Sequence, residues 1–543
     1  MTADATTEIP PSRPWLLAVA TVLAAALAAR LLFLGDKALW LDEAYSVWFS
    51  AQSWHSLWQE VPRFETHPPL YYSVLKLWRF FGSGEGTLRA LSVLASVAAV
   101  LLVMLAGYIA APRPCKLPMA AGAGLFFATS ALQLDYAQQA RPYALLALAM
   151  SLTLAAAVWL VAHPERAAQS LLGPGRRDRA VPAAYLCLAI GVALMLWMHN
   201  LGGVFAAALA GVLSFWWTAQ AGRRRPLLLN LLGAALLAFA FYAPNLPNLA
   251  SQVQTVAAQF WLEAPSLTGA ALLMAQVYGQ WQAPIGNSPL QLIIQGVIGL
   301  PIALLGIAGL WRLFATVPER RWIAWLLLGT AFGPTLAMLA LTYTVRPVLL
   351  DRTLLPAQVP WALICAAAPF ALPRLPARTI WGAVVAICLL NAAGFIADQA
   401  TAARRDAERP WRAIAQRIAA SDAAGAPVVV VPNSGALPLG YYDAALGTIL
   451  AIHPLPAAYP ARGDSYRYPA GGQGVPGIDD TVLPLLAEAT AEASTVWLIT
   501  RLEPLFDPQL IVRQALAARF PCAKQTTYGL IAVTRFDGAD HCG

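Results

Sequence analysis

Long apolar runs separated by short polar gaps dominate the first four hundred residues, and runs of this length predict helices that cross a lipid bilayer. A hydrocarbon core of about 30 Å takes about 20 apolar residues at a rise of about 1.5 Å each. Eleven runs meet that length, near 15–34, 87–110, 117–134, 142–162, 181–198, 201–220, 226–243, 290–311, 322–342, 353–372 and 379–397. Composition shifts abruptly at Asp398–Pro410, where Arg404, Arg405, Asp406, Glu408 and Arg409 gather. Beyond it the period changes: a helical run over 411–420, β-rich runs at 428–431, 495–500 and 528–535, and a helical pattern over 508–520. The pattern predicts a polytopic α-helical membrane domain over 1–397 and a soluble α/β domain over 398–543, with the Gly/Pro-rich stretch 459–477 as a loop inside the latter.

Charge supplies the orientation. With the N-terminus inside, the inner gaps contain Arg113 and Lys116; Arg166, Arg176, Arg177 and Arg179; Arg223, Arg224 and Arg225; Arg312, Arg320 and Arg321; then Arg374 and Arg378. That distribution follows the positive-inside rule, and the long outer gap 244–291 has neither Lys nor Arg. Its aromatics Phe260, Trp261, Tyr278 and Trp281 suit the membrane interface. The N-terminus is therefore expected in the cytoplasm, and the C-terminal domain on the outer side of a bacterial inner (plasma) membrane, periplasmic or extracellular.

Composition agrees: 59% hydrophobic, 12% charged and a mean hydropathy of +0.58 leave too few charges to cover a soluble particle of this size. The formal charge of +8 is explained by topology rather than by nucleic acid. Four of the six cysteines lie in or beside apolar runs; Cys522 and Cys542 stand in the polar C-terminal region and are candidates for one disulfide in an oxidising compartment.

The candidate chemistry lies in the first outer loop, 35–86. Asp42 and Glu43 follow the first span closely, and Asp42 is placed to cap a short helix over 43–53 whose aromatics Tyr45, Trp48 and Phe49 suit the interface plane. Glu65 and His67 form a second polar cluster, fixed by Pro68 and Pro69. Carboxylates at a membrane boundary are partly desolvated, which raises their basicity toward that of a general base. The alternative is a divalent metal held by Glu65 and His67 with Asp42 or Glu43, although no Cys ligands or spaced His pair accompany them. Arg141, Arg346 and Arg352 sit at outer span ends against the charge bias. They read either as snorkelling or locally paired cations, Arg352 with Asp351, or as a site for an anionic group such as a phosphate. His199–Asn200 reads as a tight polar turn.

Asp42-Glu43 followed by His67-Pro68-Pro69-Leu70 in the first outer loop resembles the protein O-mannosyltransferases (glycosyltransferase family 39) and, more broadly, the GT-C superfamily, including the bacterial lipid A aminoarabinose transferases. The resemblance continues through Gly82, Glu85 and Arg89 into Asp135-Tyr136-Ala137-Gln138-Gln139-Ala140-Arg141-Pro142-Tyr143. Eleven spans followed by an outer domain resemble the aminoarabinose-transferase branch, and the gap 244–291 has no room for the large lumenal loop domain of the eukaryotic enzymes.

The resemblance implies inverting transfer of a monosaccharide from a polyprenyl (undecaprenyl-type) phosphate donor to an extracytoplasmic glycan, lipid or protein acceptor. Asp42 would be the catalytic base or the carboxylate that orients the acceptor, and Glu43 and His67 would shape the site. Arg141 would meet the lipid phosphate, with Arg352 and Arg346 next, and Tyr143, Asp135, Gln139, Arg89 and Glu65 would line the substrate. A transporter or lipid flippase is the rival, but it calls for ionisable groups or broken helices at midspan, whereas here the polar residues gather at the outer ends. A receptor or assembly scaffold would leave the loop carboxylates without a purpose.

Overall fold

The computed structural model describes residues 13–112, 114–171, 178–259, 263–279, 289–315, 321–370, 377–400, 409–463, 465–472 and 474–542. Arg113, Arg176, Arg177, Arg320, Arg374, Arg404, Arg405, Asp406, Glu408, Phe260, Trp261 and Trp281 lie outside these. Among the described residues seven helices are long and apolar enough to cross a membrane: Arg13–Leu31, Glu85–Ala110, Tyr143–Ala162, Ala180–Met198, Arg224–Gln252, Arg321–Thr344 and Arg352–Phe370. A bent pair, Lys116–Thr129 with Ala131–Ala137, makes an eighth if counted as one span. The shorter apolar helices Gly202–Thr218, Gly299–Ala315 and Trp381–Ala397 fall on the remaining predicted runs, so length alone does not reach eleven.

Two departures from the apolar pattern bear on function. The run at 117–134 breaks at Ser130, and its two helices meet at 62°. Ser130 Oγ and Gln133 Nε2 both donate to Gln358 Oε1, at 3.0 and 3.1 Å, and Gln133 also donates to the Leu355 carbonyl at 3.1 Å. These polar side chains find partners inside the bundle that lipid cannot offer, and the break turns the segment 135–141 inward. The outer gap 244–291, expected as a loop, contains the helices Leu246–Gln259 and Leu267–Gly279. Tyr278 packs within the bundle: it stacks on Phe332 at 4.9 Å and its hydroxyl donates to the Ala331 carbonyl at 2.7 Å.

The C-terminal domain is built on a five-stranded sheet in the order β2-β1-β3-β5-β4. Its strands are β1 Pro427–Val431, β2 Ala451–Pro454, β3 Thr495–Arg501, β4 Cys522–Tyr528 and β5 Ile531–Asp537. β1 is parallel to β2 and β3, whereas β5 runs antiparallel to β3 and β4. Strands β2 and β4 are absent from the sequence reading because one is short and ends in proline and the other, Cys-Ala-Lys-Gln-Thr-Thr-Tyr, is a polar edge strand. Gly529, at a φ of 55°, turns β4 into β5. A disulfide ties Cys522, at the start of β4, to Cys542, with their Cα atoms 5.5 Å apart.

Side-chain alternation along β1 divides the cores. Val429 and Val431 pack into the domain's own core with Leu498 and Phe536, while Val428 and Val430 belong to a core continuous with the membrane helices. The helix Trp411–Ala419 and the helix Ala436–Leu446 cover that second face and seat the domain on the first outer loop. Arg412 donates to the carbonyls of Gly35 and Asp36 at 3.2 and 3.1 Å and pairs with Glu85 at 2.6 Å, while the Tyr441 hydroxyl donates to the Ser83 carbonyl at 2.7 Å. Tyr45 and Trp48, expected at the membrane interface, instead pack under Tyr459 at 5.2 and 5.1 Å. Among the described residues the exposed rings of the loop are Phe80, Phe81 and, to a lesser degree, Trp54.

Candidate active site

The loop helix runs over Leu41–Ala51, beginning earlier than its sequence suggested. Glu43, not Asp42, closes its first turn, accepting from the Trp40 N–H at 3.3 Å. Asp42 is thereby left out of capping, with its carboxylate 24% exposed.

Glu43 and Arg89 form a fully buried pair. Arg89 Nε and Nη2 donate to the two Glu43 oxygens at 2.8 Å each, and the remaining guanidinium hydrogens go to the carbonyls of Leu34, Lys37 and Ala38. All five donors of the guanidinium are used, so Arg89 has none for a ligand. Glu43 also accepts from the Ala140 N–H at 2.9 Å and lies 3.5 Å from Arg409 Nη1. Burial pushes the Glu43 carboxyl up, but the charge and hydrogen bonds of Arg89, the charge of Arg409 and the Ala140 N–H together hold it below the ordinary carboxylate range. The pair joins the loop to the helix Glu85–Ala110, so in this structure Arg89 and Glu43 spend their polar atoms on the loop's own framework.

The same network aims Arg141. Gln138 Nε2 donates to the carbonyls of Arg30 and Leu32 at 3.0 and 2.8 Å, and Ser92 Oγ donates to the Gln139 carbonyl at 2.6 Å. The turn so held sends Arg141 across to Asp42, Nη1 donating to the Asp42 carbonyl at 3.2 Å and Nη2 lying 3.6 Å from Oδ2. The guanidinium also lies over the Tyr143 ring, 5.6 Å from its centroid, and its Nε is buried without a partner among the described residues.

Opposite, the Tyr136 hydroxyl bonds the Asp351 carboxylate at 3.3 Å, and Asp351 also accepts from the Arg352 N–H at 2.7 Å. Asp351 thus caps its own turn rather than bridging to the Arg352 side chain. Among the described residues the Arg352 guanidinium makes no hydrogen bond or ion pair, and its charge reaches Asp42, Tyr143 and Arg141. Arg346 lies at the end of the helix Arg321–Thr344, its N–H donating to the Leu341 carbonyl at 2.8 Å.

Glu65 and His67 pair with each other: Glu65 Oε1 meets His67 Nδ1 at 2.5 Å and accepts from the His67 N–H at 2.9 Å. Burial raises the Glu65 carboxyl, yet His67 and then Arg141 hold it below its usual range. His67 Nε2 is buried with no partner among the described residues. Asp135 and Gln139 are likewise joined, at 2.7 Å. The metal set does not assemble: Glu43 is committed to Arg89, and among the described residues no group of three or more His, Cys, Asp or Glu side chains could hold a metal ion.

His199 enters the site although its sequence context suggested only a turn. Its ring meets His67 edge-on at 4.9 Å and lies 6.0 Å from Tyr143. Its one sequence signal was position, at the outer end of the span Ala180–Met198. Arg409, Tyr442 and Tyr459 had none, because their partners are hundreds of residues away.

No family model matches the sequence, and no curated protein matches it. Solved structures do. ArnT from Cupriavidus metallidurans in the apo state aligns over 96% of this chain and 97% of its own, at 15% identity and a TM-score of 0.61. The same protein bound to undecaprenyl phosphate aligns over the same shares, at 13% and 0.58. The archaeal oligosaccharyltransferase AglB from Archaeoglobus fulgidus, in complex with an inhibitory peptide and a dolichol-phosphate, aligns over 96% of this chain and 74% of its own, at 13% and 0.52. The chain shares the overall fold of these structures, a likeness that extends over nearly its whole length.

Proposed function

We propose that the protein is an integral-membrane glycosyltransferase that moves a monosaccharide from a polyprenyl phosphate to an extracytoplasmic acceptor, with inversion at the anomeric carbon. The observation that carries this reading is the pairing of a partly exposed Asp42 carboxylate with the Arg141 guanidinium in a loop otherwise locked by buried bonds. Its setting is a fold shared with proteins whose structures hold undecaprenyl phosphate and dolichol-phosphate.

An acceptor hydroxyl is too weakly acidic to attack unaided, so Asp42 takes its proton as the oxygen bonds to the anomeric carbon. The bond from that carbon to the phosphate oxygen breaks, and the leaving phosphate gathers negative charge. Arg141, and Arg352 across from it, stabilise that charge at a position where neither has to reorganise. Glu65 orients His67 beside them. Glu43 and Arg89 are positioning residues that hold the helix of Asp42 in place.

Polar side chains gathered at the outer ends of the helices favour this reading over a transporter. The inner membrane of a bacterium, with the N-terminus inside and the C-terminal domain outside, is the location that suits it. The sugar is a hexose or pentose, and the acceptor an envelope lipid, polysaccharide or protein. Mass spectrometry of envelope lipids, polysaccharide and secreted proteins from cells with and without the chain tests the reading. Loss of one sugar mass from one of these pools supports it, and identical profiles with lost uptake or export of a lipid-linked substrate overturn it.

A further inference from the structure

The turn at His199–Asn200 is stitched to the catalytic loop. Asn200 Nδ2 donates to the Thr66 carbonyl at 2.7 Å and to Gln252 Oε1 at 3.0 Å, and Gln252 Nε2 donates to the Glu65 carbonyl at 2.7 Å. A tight turn needs no such cross-links to a segment 134 residues away. They hold the His199 ring against His67 and Tyr143.

The tautomer follows from one bond. His199 Nδ1 lies 3.0 Å from the Leu201 N–H, which can only donate, so Nδ1 accepts and the ring proton of the neutral imidazole sits on Nε2. Burial, then the nearby His67, Arg352 and Arg141, push the His199 pKa well below its ordinary value, which keeps the ring neutral. Among the described residues Nε2–H has no acceptor. A polar site with two arginines, Arg141 and Arg352, and an idle N–H suits a ligand with several anionic oxygens.

We propose that His199 is a further contact for a phosphate monoester in this site, donating through Nε2–H beside Arg141 and Arg352. This inference rests on the phosphate side assigned above and adds a residue to it.

The test uses full-length protein in nanodiscs, titrated with farnesyl phosphate, inorganic phosphate and farnesol. His199→Asn places an amide oxygen where Nδ1 was, keeping the Leu201 bond, and has no atom at Nε2. It should weaken farnesyl phosphate binding roughly tenfold or more, the usual worth of a hydrogen bond to a charged group, and leave farnesol unchanged. His199→Gln, which restores an N–H near Nε2, should recover much of the affinity. A proportional loss for inorganic phosphate also supports the contact and shows that the phosphate is held without its lipid.

Wild-type farnesyl phosphate affinity in His199→Asn overturns the proposal. If that variant melts early in the absence of ligand, His199→Gln decides, and a loss of binding there with melting intact overturns it as well. Arg141→Ala separates the two layers of argument. Weakened binding in Arg141→Ala with none in His199→Asn removes only His199, whereas unchanged binding in both removes the phosphate side itself.

Discussion

Arg141 reaches Asp42 from 99 positions further along the chain, its Nη2 3.6 Å from Oδ2 and its Nη1 bonded to the Asp42 carbonyl at 3.2 Å. The distance between Nη2 and Oδ2 is that of an ion pair without a hydrogen bond. On the proposed function, an acceptor hydroxyl on one side and a phosphate on the other would each engage a charge already held in place.

Asp42→Asn should lower turnover on a polyprenyl phosphosugar by roughly two to four orders of magnitude, the usual contribution of a general base. Binding of the lipid phosphate should persist, because Arg141 keeps its bond to the Asp42 carbonyl. Turnover by purified protein, read beside ligand-induced stabilisation, checks both halves. Near wild-type turnover would remove Asp42 from the mechanism.

Glu43 predicts the opposite phenotype from its neighbour. Glu43→Ala leaves Arg89 charged and buried among carbonyls, and breaking one side of such a pair costs about 3–5 kcal/mol. The expected result is a lower melting temperature and poor yield, against an unchanged melting temperature for Asp42→Asn. Equal stability of the two variants would show that the buried pair does not hold the loop.

How much of this was legible beforehand divides along physical lines. Apolar runs marked the spans because lipid imposes one period and one length on any helix. Asp42, Glu65 and His67 stood out as polar clusters in the loop between two such runs, and Arg141 as a cation at the outer end of one. What distinguishes Asp42 from Glu43 was not legible, since the difference is made by Arg89, Ala140 and Arg409, each brought in by tertiary packing. The break at Ser130 was hidden as well: its cause is Gln358, 228 residues away. The helices of the gap 244–291 read as loop because Asn248, Gln252, Gln254 and Gln259 interrupt the apolar residues of the first, and the second, Leu267–Gly279, is too short to span a bilayer.

The carboxyl pair gives a dependence on pH. Glu65 and Glu43 are both held below the ordinary value of 4.5, so each adds stability that is fully present above that value and is lost as pH falls through the lowered folded value. Thermal melting followed from pH 7 downward should hold steady until about pH 4.5, an unperturbed glutamate's range, and then decline. Glu65→Gln should flatten part of that decline. A decline that is unchanged in Glu65→Gln would mean that Glu65 does not hold its charge through His67.

Arg141→Ala should weaken turnover more than Arg346→Ala. Arg141 touches Asp42 and covers Tyr143, whereas Arg346 closes the end of the helix Arg321–Thr344. Removing a guanidinium that faces developing phosphate charge costs on the order of a hundredfold in rate. Equal and minor effects of the two substitutions, measured on the same donor, would count against any phosphate role for Arg141.

The C-terminal domain should prove necessary for turnover although it lies in sequence far from the charged residues. The Leu39 N–H donates to the Tyr442 hydroxyl at 2.6 Å across 403 positions, and the same hydroxyl bonds Glu85 at 3.1 Å, which also pairs with Arg412. Leu39 stands two residues before the helix that presents Asp42, so this bond helps set where that helix begins. Tyr442→Phe keeps the ring in its buried place but leaves the Leu39 N–H without an acceptor, at a cost of about 1–3 kcal/mol. Because the strain falls on the loop, turnover should drop several-fold while phosphate affinity, held by the turn at 138–141 and its own bonds to Arg30 and Leu32, changes little. Comparing kcat with farnesyl phosphate affinity in this variant separates the two. A parallel loss in both would place the domain's effect on the whole bundle, and no loss in either would make the docked domain independent of the chemistry beneath it.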